Sequence, residues 1–257
     1  PTGAQPDLCR VLLRGARVET HSLVTSLACD STGWWLTAED AAPPSGSGLR
    51  IEDGSARVLG PYAVVAVALP PAQAAPLLGP HRPDWARASA LVTMHPCWTL
   101  MGVVQRAPGA APVRGGESLQ AFSAGVLASA HRQRPPAGAS PWPADCEAWV
   151  VHASPGWSAR HIEAPPSQVL GVLTAAWSAL WPAPPRWRSA SVHRWRYAQP
   201  VTVPRAGTPC CRWQAALGLG QCGDHLAGTG VEAAWRSGRA LARAVLADPP
   251  PLLTTLS

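Results

Sequence analysis

Lysine and asparagine are absent from the 257 residues. Without lysine there is no phosphate-binding P-loop, whose lysine must reach the phosphates. Nor can a lysine form a Schiff base with a carbonyl substrate. Isoleucine occurs only at Ile51 and Ile162, and Phe122 is the one phenylalanine. The scarce types have AT-rich codons, so the bias reads as a GC-rich coding sequence. The matching wealth of arginine, alanine and proline therefore says little about function. Charged residues make up only 14 % against a usual ~25 %, which excludes a charge-rich disordered tail.

Cysteines number seven, and only Cys210 and Cys211 are adjacent. An odd, scattered set is not a disulfide framework, and a reduced, cytoplasmic setting is expected. No apolar run nears the ~20 residues of a membrane helix. The best, residues 63–69, is stopped by Pro70 and Pro71, so no membrane partner is expected. No secretory signal is visible, and no G-x-S-x-G elbow marks a serine hydrolase. Cys210, Cys211, Cys222 and His225 are potential ligands, but adjacent cysteines without a C-x-x-C suit tetrahedral zinc poorly. No metal site is expected.

What is present is a chain with 47 % hydrophobic residues, 29 prolines, 23 glycines and 13 tryptophans. That is enough apolar side chain for a real core in one large or two small domains. The net charge is +6, carried by 21 arginines. The arginines run from Arg10 to Arg243, and only Arg186, Arg188, Arg194 and Arg196 cluster, among Trp187, Trp195 and Tyr197. A nucleic-acid partner is not expected, although it stays open as a salt-sensitive alternative.

Periodicity predicts a helix over 6–14 ended by Gly15, and strands over 17–21, 23–29 and 34–37. Residues 41–48 read as a loop and 49–59 as a polar hairpin turning at Asp53-Gly54. The run 62–69 (YAVVAVAL) reads as a strand buried on both faces. Strands around a break at Pro96 are expected over 91–104, with Pro/Gly loops at 107–116 and 134–143. A strand over 147–153, a helix over 167–181 ended by Pro182, strands over 189–197 and 213–219, and a closing helix over 231–246 complete the reading. No internal repeat is visible. The class is α/β (α+β): residues 85–200 form an inserted unit, and 1–84 and 201–257 flank it as parts of one nucleotide-binding layer.

Two segments carry candidate chemistry. In the first, a strand ends at Gly223-Asp224, a loop holds Gly228 and Gly230, and a helix opens at Val231-Glu232. Free N–H groups and partial positive charge at a helix start favour an anionic ligand. Asp224 is placed to accept from a sugar or ribityl hydroxyl. An ordinary strand–loop–helix with a Gly-rich turn is the plain alternative. Gly218, Gly220 and Gly223 spell G-x-G-x-x-G, but they open no helix directly and no acid follows about 20 residues on, so the pattern is read as a decoy. In the second segment, strand alternation puts Trp187, Ser189, Ser191, His193, Trp195 and Tyr197 on one face and Arg188, Arg194 and Arg196 on the other. That pairs an aromatic wall for a flat ligand with a basic rim; a core strand with snorkelling arginines is the plain alternative.

Cys222-Gly223-Asp224 followed by Gly230-Val231-Glu232-Ala233-Ala234 and Ser237-Gly238 resembles the C-terminal flavin motif of the amine-oxidase superfamily. HRWRYAQP, from His193 to Pro200, resembles the renalase-like branch, the bacterial NAD/FAD-dependent oxidoreductases. Residues 17–27, 64–78, 96–98 and 152–161 match more loosely. The resemblance implies FAD in an FAD/NAD(P)-binding Rossmann-like layer, with an inserted antiparallel-sheet substrate domain roofing the ring. It assigns Asp224, with Gly223, to the ribityl or pyrophosphate part, and the backbone of Gly230, Val231, Glu232 and Ala233 to the flavin N1–C2=O edge. It puts Val24 at the adenine, and Trp195 and Tyr197 on the substrate side, with no acid–base residue assigned. It implies a first βαβ unit of about 30 residues carrying the G-x-G-x-x-G ahead of Pro1. The expected activity is hydride removal from a small nicotinamide-type or amine substrate; the oligomeric state is left open. The alternative is a flavin-free remnant or fragment acting as a binding or structural module.

Overall fold

The computed structural model describes residues 5–40, 56–106, 118–120, 125–133, 143–181 and 183–251. The expected loops at 41–48 and 107–116, the Asp53-Gly54 turn and Pro182 lie outside the described residues. The chain divides into two units, one holding residues 96–196 with 1–20 and 44–48, the other 21–43, 49–95 and 197–257.

The first unit holds α1 (Gln5–Leu12) and most of a five-stranded sheet. The sheet's strands are β5 (Met94–Gln105), β6 (Ser118–Gln120), β7 (Leu127–Gln133), β8 (Cys146–Ala153) and β9 (Arg186–Pro200), in the order β6-β7-β8-β5-β9. Neighbours β6/β7, β7/β8 and β5/β8 run antiparallel. Helices α4 (Pro155–Arg160) and α5 (Pro166–Ser178) supply the residues that cover one face. Trp98 and Leu100 of β5, Trp149 and Val151 of β8, and Val169, Leu173 and Trp177 of α5 form that core. Trp177 is its hub, with ring centroids 5.3 Å from Trp149, 4.8 Å from Trp181 and 5.0 Å from Trp187. A chain with so few Ile and Phe residues fills its core with indoles, each of which buries large apolar area.

Three expectations change here. β5 runs through Pro96 without a break, because its pairing with β8 begins only at Thr99 and the ladder needs no N–H from the proline. Helix α5 stops at Ser178, and Trp181 turns back into the core. Trp187 does not share a face with His193 and Trp195: Trp187, Ala190 and Val192 all pack on the indole core, so the side-chain alternation shifts between Trp187 and Ala190. Beyond the shift, Arg194 follows the core side and lies over Trp98 at 5.7 Å, while Glu163 accepts from both Arg194 and Arg196.

The second unit holds two three-stranded sheets. One is antiparallel: β1 (Ser22–Asp30), β2 (Gly33–Asp40) and β3 (Arg57–Tyr62), in that order. The other has the order β10-β11-β4, with β10 (Arg212–Gln214) antiparallel to β11 (Leu219–Gln221), and β11 parallel to β4 (Val65–Val67). Helices α2 (Pro71–Leu78), α3 (Pro83–Ala90) and α6 (Gly230–Ala247) belong to the same unit. Leu27, Trp34, Val65, Val67, Ala74, Leu77, Leu78, Trp85 and Leu219 make its core.

Residues 17–20 form no strand and are exposed, with Arg17 ion-paired to Glu19 at 2.7 Å. The run 62–69 is not one strand buried on both faces. β3 ends at Tyr62, β4 is three residues long, and Ala66 is exposed between buried Val65 and Val67, because β4 is an edge strand with one covered side. The expected strand over 213–219 is split into β10, a 3-10 turn at Ala215–Leu217 and β11. The break is Gly218, at φ 65°, where a Cβ would collide with the Ala63 carbonyl.

Candidate functional site

The parallel pair β4/β11 leads into the loop that the sequence singles out. The Val65 amide donates to the Gly218 carbonyl, and the Cys222 amide to the Val67 carbonyl. Past Gln221 the chain leaves the ladder. The Gly223 amide donates to the Ser237 hydroxyl on α6 at 3.0 Å, and that hydroxyl donates to the Cys210 carbonyl. A 3-10 turn follows at Asp224–Leu226, with the Asp224 carboxylate accepting from the His225 amide at 2.8 Å. The Asp224 carbonyl takes the amides of Ala227 and Gly228, both at 2.8 Å. Arg236, one turn into α6, donates to the Ala227 carbonyl at 3.0 Å.

The loop therefore delivers the start of α6 in a fixed place. Thr229 sits at the N-cap but its side chain makes no capping bond. Gly230 has φ 77° and open space where a Cβ would stand. Val231 and Glu232 are exposed, while Ala233 and Ser237 are buried. The first-turn N–H groups carry the positive end of the helix dipole and lack a capping side chain. This is a suitable seat for an anion or for the electron-rich edge of a ring.

His225 adds a second feature. It is 5 % exposed, and its Nε2 has no hydrogen-bond partner among the described residues. Burial pushes its pKa down, Asp224 pulls it up and Arg212 pushes it down again. The imidazole is thus neutral near pH 7 and presents a polar atom with an unmet bond, a costly arrangement without a partner. The imidazole also closes on Gly223, where a Cβ would stand 2.7 Å from the ring. The uncapped helix start and the open Gly230 leave room for a polar or anionic group, and the loop also holds the unmet imidazole nitrogen.

Of the residues expected at a cofactor, Gly223, Asp224, Gly230, Val231, Glu232 and Ala233 come together in this loop and helix start. Val24 lies in the other sheet of the same unit, opposite Ala38 and next to a bulge at Val24/Ser26. Trp195 and Tyr197 lie on β9, 52 % and 37 % exposed, with the His193 ring edge-on to Trp195 at 4.3 Å. Among the described residues no group of three or more His, Cys, Asp or Glu side chains is arranged to hold a metal.

Two polar clusters escape sequence reasoning. Beneath the loop, Arg212 donates to the Gln221 side chain at 2.8 Å and to the Trp85 carbonyl, while Gln221 donates to Ser89. Burial pulls the Arg212 pKa down. Beside it Arg82 forks onto Asp84, whose pKa it draws down to about 2. Only the 212/221 register of β10 and β11 could have signalled the Arg212–Gln221 pair. On the face of the five-stranded sheet opposite its indole core, Thr99, His152 and Ser129 stand opposite one another on β5, β8 and β7. The Ser129 hydroxyl lies 3.2 Å from both His152 Nδ1 and His131 Nε2. Burial, then repulsion from His131, lowers the His152 pKa.

No family model matches the sequence. Among solved structures the fold is shared with the putative protoporphyrinogen oxidase of Exiguobacterium sp. 255-15, at a TM-score of 0.64 and 11 % identity. The match covers 95 % of this chain and 51 % of that protein, so the chain spans about half its length. The likeness is one of fold: a mixed arrangement of helices and sheets. Among the described residues no helix is long and apolar enough to cross a membrane.

Proposed function

We propose that this chain is an FAD-dependent oxidoreductase of the renalase-like, amine-oxidase type. The observation that carries the reading is the loop-and-helix start from Cys222 to Ala233, with its uncapped α6 N-terminus, the open Gly230 and the unmet His225 nitrogen. The shared fold with a protein described as an oxidase supports a redox role. In this reading residues 1–84 and 201–257 form the FAD domain, a Rossmann-like layer, and 85–200 the substrate domain.

Each residue then has a task. The Asp224 carboxylate already caps its own turn through one oxygen, and the other accepts from a ribityl or pyrophosphate-side hydroxyl. The N–H groups of Val231, Glu232 and Ala233 would hold the N1–C2=O edge and favour negative charge there. The Val24 backbone meets the adenine. Trp195 and Tyr197 serve the substrate side, offering flat aromatic faces to a nicotinamide-type or amine substrate. When bound, FAD would supply the hydride acceptor and the two-electron redox chemistry.

The test is anaerobic mixing of the flavin-loaded protein with reduced nicotinamides and, separately, with small amines. Bleaching of the flavin absorption by members of one class supports the reading and names the class. A loaded protein that bleaches with dithionite but with neither class contradicts the substrate assignment.

A further inference from the structure

Cys211 and Cys222 are the first residues beyond Arg212/Gln221, the pair that ends the antiparallel β10/β11 ladder. The hydrogen-bond pattern fixes which kind of pair it is. The Cys222 amide and the Gly218 carbonyl point toward β4, so the residues between them that face β10 are Leu219 and Gln221. Carried one residue beyond the ladder, that alternation puts Cys211/Cys222 at a non-hydrogen-bonded position, the kind at which Cα atoms in a regular ladder approach to about 4.5 Å.

The next rung shows how far the strands have parted. There the Ser237 hydroxyl stands between the Gly223 amide and the Cys210 carbonyl, in the place of a direct ladder bond. Cys211/Cys222 is thus flanked by a held pair on one side and a pair bridged by one hydroxyl on the other. Two flanking rungs held this way keep the two cysteines close, and a disulfide needs Cα atoms within ~4.4–6.8 Å. Carried one residue beyond β10 and β11, strand alternation puts both cysteines on the face opposite the Arg212–Gln221 contact at 2.8 Å. All the described cysteines are free thiols, with Cys222 buried and Cys211 half-buried. Burial raises both thiol pKa values; Cys210 raises that of Cys211 further, and Cys211 raises that of Cys222.

We propose that Cys211 and Cys222 form a reversible disulfide that latches β10 to β11 at the entrance to the Gly223–Gly230 loop. The oxidant is a hydroperoxide. The more accessible Cys211, as thiolate, attacks a peroxide oxygen; the O–O bond breaks, giving a sulfenic acid and hydroxide, which takes up the thiol proton as water. The Cys222 sulfur then attacks the sulfenyl sulfur, the S–S bond forms, the S–O bond breaks, and a second water leaves. Two thiols lose two electrons and two protons, and one hydrogen peroxide becomes two waters. This latch does not depend on the flavin reading.

The test is stoichiometric hydrogen peroxide on the folded protein at about pH 8, near the usual thiol pKa, followed by trypsin and non-reducing mass spectrometry. Arg205, Arg212 and Arg236 put Cys210 and Cys211 on one peptide and Cys222 on another. The expected product joins these two peptides, disappears with dithiothreitol, persists in Cys210→Ser and is lost in Cys211→Ser. Oxidation should raise the thermal midpoint of the Cys210→Ser protein by roughly 5 °C, as a short closed loop does. Thiols that stay free, a Cys210–Cys211 bridge, or a link that survives in Cys211→Ser would each overturn the proposal. Equal yield in urea would do so too, since the yield would then owe nothing to the fold.

Discussion

The Gly223 amide donates to the Ser237 hydroxyl at 3.0 Å, and so ties the end of the β11 segment to the second turn of α6. Ser237 is fully buried, and its hydroxyl donates a hydrogen bond to the Cys210 carbonyl. Replacing it by alanine leaves a buried donor and a buried acceptor unmet. The expected loss is about 1–3 kcal/mol, read from urea unfolding, together with weaker FAD uptake. Unchanged stability would remove the clamp from the account.

Gly223→Ala should act on the same loop by crowding. The new methyl would lie 2.7 Å from the His225 ring, and a buried ring has little room to retreat. The expected cost is about 1–3 kcal/mol, with His225→Ala restoring part of the stability in the double variant. Equal losses with and without His225 would place the strain elsewhere.

Asp224→Ala and Trp195→Ala should separate two roles. Asp224→Ala is expected to lower FAD affinity at least ~10-fold, about 1.4 kcal/mol, while substrate preference in the loaded fraction is unchanged. Trp195→Ala should keep its flavin and raise KM. Flavin fluorescence and steady-state kinetics read the two effects, and equal flavin affinity in wild type and Asp224→Ala refutes the first assignment.

The buried histidines set an acid limit. His225 and His152 both have folded pKa values below the free 6.5, chiefly through burial. Below 6.5 the unfolded chain takes up protons that the folded chain refuses, so stability falls as pH drops from 6.5 toward the folded values and is flat above it. Urea midpoints at pH 7.5 and 5.0 should show the fall, and His225→Gln should lessen it. A fall of the same size in His225→Gln would take this histidine out of the explanation.

The indole core gives a stability prediction independent of function. Trp177 touches three other indoles and is fully buried, and its Nε1 makes no hydrogen bond among the described residues. Trp177→Ala should cost about 3–5 kcal/mol. Trp177→Phe should cost clearly less, since no bond is lost. Chemical denaturation distinguishes them.

Long periodic segments were legible in the residues. The alternation of 147–153 became β8, and the spacing of 231–246 became α6, within a residue or two. Strands β4 and β10 were misjudged because their limits come from partners far along the chain. Val65–Val67 is a strand only as far as β11 accompanies it, and Gly218 breaks the 213–219 run because the Ala63 carbonyl lies against it. The face shift between Trp187 and Ala190 has the same kind of cause, since a fixed period of two holds only where the backbone is regular. At the candidate site, CGD and GVEAA point to the loop. The Ser237 clamp and the unmet His225 nitrogen do not, because hydrogen bonds across fourteen residues leave no periodic trace.

The central claim is that the loop from Cys222 to Ala233 holds FAD. Its most direct measurement is flavin content of the protein expressed as its gene encodes it, before and after incubation with excess FAD and gel filtration. The account predicts close to one FAD per chain, with a reduced share in Asp224→Ala. A colourless wild-type protein that retains no added FAD would contradict it and favour a flavin-free binding module.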